Sequence, residues 1–147
     1  MEGATYRVLC KYLNKFKGGI AWRVKKHCSI IDIHLNSDEI VTYAFAGQKN
    51  DSFWHIFNTC VVCVTNKRIL IGRKGLLWGY HLSSITPDLF NDMEVQRELI
   101  WGRVIIDTVK EEVTITNLDK KALPDIETNV SNFMMKEKRR YAKKEEV

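Results

Sequence analysis

Residues 5–16, TYRVLCKYLNKF, place Thr5, Leu9, Tyr12, Leu13 and Phe16 on one face of a helix, with Leu9, Leu13 and Phe16 as its apolar spine. Gly18-Gly19 ends that pattern. Ile20, Val24, Cys28, Ile31 and Leu35 then recur at helical spacing, with Lys25 and Lys26 on the other side. This predicts a second helix over about 20–33, broken by Asn36-Ser37. From Asp38 the texture becomes β-branched and aromatic. Runs at 39–47, 55–65, 68–74, 76–82, 88–95, 101–107 and 111–118 predict seven short strands. Asn66-Lys67 suits a tight hairpin turn, Gly75 permits another turn, and Pro87 marks a break. Seven short strands with short connections predict an antiparallel sandwich or partly open barrel.

A single apolar stripe returns at Leu123, Ile126, Val130, Phe133 and Met134, with Pro124 in the first turn, where its missing N–H costs little. The tail KEKRRYAKKEEV is charged throughout. The expected organisation is an N-terminal helical segment over 1–35 and a domain over 36–147. That domain's strands span about 38–118 and its C-terminal helix about 120–140.

Composition changes this picture little. The chain has 147 residues, 45% hydrophobic and 28% charged, which is ordinary for one globular domain. No apolar run approaches the length of a membrane-spanning helix, and the N-terminus lacks a signal-peptide core, so a cytoplasmic location with reduced cysteines is expected. Charge is more informative. Residues 1–35 carry seven Lys or Arg against two Asp or Glu, residues 36–118 eight against ten, and residues 119–147 eight against six. The basic excess of the net +5 charge therefore sits at the two ends, on solvated helix faces or on a patch that steers towards an anionic surface.

Candidate chemistry centres on Cys60-Val61-Val62-Cys63. A zinc knuckle needs a turn that brings both sulfurs to one point, and a redox pair sits at the start of a helix. Here the two thiols lie within a β-branched run, where residues three apart face opposite ways, so both are expected to be buried, metal-free strand residues. His27, His34, His55 and His81 are separated by whole predicted elements. No G-x-S-x-G, H-E-x-x-H, P-loop or G-x-G-x-x-G is present, so neither enzyme nor cofactor is expected. The acidic pairs Asp38-Glu39, Asp92/Glu94 and Glu111-Glu112 read as solvated charge. Trp78 and Tyr80 share a strand face and are expected to pack in the core or at the rim. Phe53-Trp54, in a polar loop, is a candidate aromatic anchor.

The stretches SDEIVTYAFAG, VVCVTNKRILIGRKG, WGYHLSSIT, WGRVIIDT and TITNLDKKALPDIETNVSNFM together resemble the bacterial pleckstrin-homology (PH)-like family of the YokE type. The resemblance covers about residues 36–135, and VTNKRILI is its most specific part. It implies a PH-like seven-stranded sheet capped by the C-terminal helix, in a non-catalytic intracellular binding or self-assembly module. Homo-oligomers or a protein partner are implied, since some bacterial members assemble as rings. Relatives of the fold often clamp phosphoinositides through basic residues near the first hairpin loop. This chain departs from them: GQKNDSFWH (47–55) holds only Lys49, beside Asp51, and several fixed cations are needed to grip several phosphate oxygens. The candidate partner or anion contacts are Lys49, Phe53, Trp54, Lys67, Arg68, Arg73 and Lys74. The alternative is weak adhesion of the terminal basic clusters to an anionic membrane surface or nucleic acid. No RNA-binding signature accompanies those clusters, so no specific nucleic acid is expected.

Overall fold

The computed structural model describes residues 3–49 and 58–146. The first helical period becomes α1, Ala4–Lys15, with Thr5, Leu9 and Tyr12 buried. The second becomes α2, Val24–Asp32, shorter than its pattern suggests. The residues before it are held elsewhere: Gly18 N donates to Asp119 Oδ2 at 2.9 Å and Ile20 N to Asn117 O at 3.1 Å. The chain then turns through Arg23 in a left-handed conformation, φ 57°, directly ahead of the helix.

Seven strands follow: β1 Val41–Lys49, β2 Thr59–Thr65, β3 Ile69–Lys74, β4 Tyr80–Ile85, β5 Phe90–Arg97, β6 Gly102–Thr108 and β7 Glu112–Leu118. They form one antiparallel sheet in the order β4-β3-β2-β1-β7-β6-β5, so β4 and β5 are its edges. The sheet turns sharply where only Gln48↔Thr116 and Lys49↔Ile115 join β1 to β7. This is the partly open form of the expected architecture. A short 3₁₀ turn, Lys120–Ala122, leads into α3, Leu123–Glu145, with Pro124 in its first turn. Leu123, Ile126, Val130 and Met134 of α3 are buried in the common core, while Phe133 is only partly so.

The same core takes Leu9 and Tyr12 from α1 and Cys28 and Ile31 from α2, so both helices pack onto the sheet. A buried ion pair reinforces this. Arg68 Nη2 lies 2.8 Å from Glu39 Oε1, and the Glu39 side chain is 0% exposed. Arg68 also donates to His34 O at 3.0 Å and to Ser84 Oγ at 3.1 Å, while Thr65 Oγ1 donates to Glu39 Oε2 at 2.7 Å. One guanidinium thus ties the end of α2 to β2, β3 and β4. Glu39 is therefore not the solvated charge its sequence setting suggests, because Arg68 reaches it from the β2–β3 turn.

The fourth strand also starts later than expected. Leu76–Gly79 is the β3–β4 turn, closed by Gly75 N donating to Gly79 O at 2.9 Å. Trp78 accordingly projects into solvent, 80% exposed, rather than packing in the core or at the rim.

Candidate functional site

Strand alternation builds a cavity at the β1–β2 and β3–β4 end of the sheet. Ile71 and Arg73, and His81 and Ser83, are each two residues apart within a strand, so each pair shares a face, and Asn58 stands just ahead of β2, two residues before Cys60. Register then aligns Ile71 with Ser83 and Arg73 with His81 across β3 and β4, and Gly47 with Cys60 across β1 and β2. With Lys49 at the end of β1, these side chains line a cavity of about 240 Å³. Arg73 Nη1 donates to Asn58 Oδ1 at 2.8 Å, a neutral partner. Among the described residues no carboxylate pairs with Lys49 or Arg73.

The cavity floor is neutral. Cys60 is buried, and burial pushes its thiol pKa up to about 12, against the opposing pull of Lys49 and Arg73. Cys63 faces other groups, near Thr5, Asp32 and Glu39, and burial pushes it up to about 12 as well. The two thiols thus occupy different environments on opposite faces of β2, as strand alternation requires. All four cysteines are free. Among the described residues no group of three or more His, Cys, Asp or Glu could hold a metal ion.

The other candidate contacts are placed apart. Arg68 is committed to Glu39. Lys67 pairs with Asp38 and borders a separate groove with Arg140, Tyr141 and Lys144, in which Arg140 pairs with Glu137. Lys74 lies at the end of β3, next to the cavity strand positions. Phe53 and Trp54, like His55, lie outside the described residues.

His27 escapes notice in the sequence, where nothing marks it apart from the other histidines. It is buried on α2 and accepts the Lys74 N–H at Nδ1, 2.8 Å away, so it fastens the end of β3 to the helix. Burial lowers its pKa to about 4; Arg23 and Arg73 add to the depression, against a backbone hydrogen bond with Trp22. The folded state therefore binds this proton less readily than the unfolded one, whose histidine titrates near 6.5. Stability from this group is complete above pH 6.5 and is lost as pH falls towards 4. Between pH 7 and 5 the loss should be about 2 kcal/mol. Urea midpoints across that range, compared with those of His27→Gln, check it; parallel pH profiles for the two proteins would contradict it.

A family match and one solved structure agree with this architecture. A family model described as a bacterial PH domain matches residues 35–132. That match does not single out the YokE type. A pleckstrin homology domain from Shewanella amazonensis SB2B is similar in structure, with a TM-score of 0.50 and 11% identity over 84% of this chain and 98% of that one. A DUF1696 family protein with a pleckstrin-homology domain from Shewanella loihica PV-4 gives a TM-score of 0.47 and 14% identity over 76% of this chain and 97% of that one. No curated protein matches the chain. No helix among the described residues is long and apolar enough to cross a membrane.

Proposed function

The chain belongs to the bacterial PH domain family, and on that premise we propose that it is a non-catalytic intracellular binding module that takes a small anionic group between Lys49, Arg73 and His81. The observation that carries this reading is two cationic side chains facing one cavity without a carboxylate partner among the described residues. An arginine fork and a lysine point charge are complementary to a phosphate or carboxylate. The protonated Cys60 thiol beneath them offers no nucleophile. Four free thiols accord with a reducing compartment.

Two charge-assisted contacts, at about 1.5–3 kcal/mol each, correspond to a Kd between roughly several millimolar and tens of micromolar. Calorimetric titration with inorganic phosphate and pyrophosphate should show binding in that range. Arg73→Gln, which keeps a hydrogen-bonding side chain, should weaken it by about tenfold or more. Absence of heat and of any chemical-shift change at tens of millimolar phosphate would reject the anion reading. Self-assembly through the open β4 and β5 edges would then be the remaining use for the fold.

A further inference from the structure

The β3–β4 turn carries three consecutive apolar residues into solvent: Leu76 is 56% exposed, Leu77 80% and Trp78 80%. Tyr80, at the start of β4, is 48% exposed. Glycine chemistry produces this projection. A side chain on Gly75 would meet Trp78 O at 2.2 Å, and Gly79 holds φ +75°, so the loop closes tightly with its carbonyls inward and its side chains outward. The tip is convex and preset, so little ordering entropy is lost when it is buried.

Its base is cationic. Arg73 and Lys74 precede the turn, and residues 72–83 contain no Asp or Glu. Lys74 N donates to His27 Nδ1, and His27 N donates to Arg23 O at 3.2 Å, so the start of α2 stands beside the end of β3. The charges that bear on His27 are those of Arg23 and Arg73, both positive. A second apolar tip, Leu99-Ile100, has cations of its own, since Arg97 lies close in sequence and Lys120 Nζ donates to Leu99 O at 2.8 Å, but it is not acid-free: Glu98 adjoins it and pairs with Arg103.

We propose that the Leu76-Leu77-Trp78 tip is a wedge that enters the interfacial layer of an anionic lipid bilayer, with Arg23 and Lys74 facing the headgroups. The leucines remove apolar area from water, the indole suits the headgroup boundary, and the collar meets the negative surface. A protein partner for a convex tip would have to supply a matching apolar socket, and the acid-free cationic base favours the bilayer.

Flotation with vesicles of phosphatidylcholine, with and without phosphatidylglycerol, tests the proposal. The wild-type chain should bind the anionic vesicles. Leu76→Ser/Leu77→Ser should lower the partition coefficient by about tenfold or more per leucine. Both side chains are exposed, so the variant should melt with the wild type and retain its phosphate affinity, which separates this claim from the cavity reading. Raising salt from about 0.1 M to 1 M should weaken binding without abolishing it, because screening acts on the collar and spares the apolar tip. Trp78→Phe should remove the blue shift of tryptophan emission seen with vesicles. Equal binding by the leucine variant, or an equal loss in Leu99→Ser/Ile100→Ser, would overturn the assignment. Wild-type chain left unbound by anionic vesicles would also overturn it, and would leave the tip to a protein partner.

Discussion

Arg68→Met should lower the unfolding free energy by about 3–5 kcal/mol at neutral pH, because it strands a buried charge. Glu39 has no solvent access at its side chain and would keep only Thr65 Oγ1 and Asn36 N as donors. In the wild type, burial pushes the Glu39 pKa up, but the hydrogen bonds from Arg68 and Thr65 outweigh it and hold the carboxyl below its ordinary value. Without Arg68 the balance reverses, and the folded pKa rises above the unfolded one. A group with that shift binds more protons when folded, so the variant's deficit should shrink as pH falls through the raised pKa. Glu39→Met/Arg68→Met should recover most of the loss, since apolar replacement of both partners is often neutral. Chemical denaturation of the three variants decides the matter. A loss below about 1 kcal/mol for Arg68→Met would mean that the guanidinium is not the tie between α2 and the sheet.

The second large effect belongs to α3. Ile126 is fully buried among Leu123, Val130 and Met134. Ile126→Ala removes apolar volume from a core with little room to collapse, at about 2–5 kcal/mol. That is a large share of the ~5–15 kcal/mol that holds a domain together. Phe133→Ala should cost less despite the larger side chain, because Phe133 only borders the core. The order of the two urea midpoints is the test, and the reverse order would mean that the helix is rotated from its place here.

These predictions also mark what the sequence discloses. The helical spine of Leu9 and the stripe from Leu123 to Met134 are local periodicities, legible because one face of each helix is buried, while the opposite facing of Cys60 and Cys63 follows from strand geometry alone in a strand buried on both faces. Strand number followed from the spacing of the β-branched runs. What stayed hidden is long-range. Glu39 and Arg68 are 29 residues apart, and His27 and Lys74 are 47 apart, so neither partnership leaves a mark within any window. Leu76-Leu77-Trp78 misleads for another reason: its composition is that of a strand, and only the Gly75–Gly79 closure makes it a turn. The cavity was half legible. Lys49, Arg73 and Lys74 stood out as basic residues at strand ends, yet His81 and Asn58 join the first two only through register.

Residue-resolved amide NMR during titration with inorganic phosphate decides whether the cavity takes an anion. Saturable shifts are expected at Lys49, Asn58, Arg73, His81 and their neighbours, with about tenfold more phosphate needed for the same shifts in Arg73→Gln. Shifts centred instead on Lys67, Arg140 and Lys144, or no saturable shift anywhere, would contradict it.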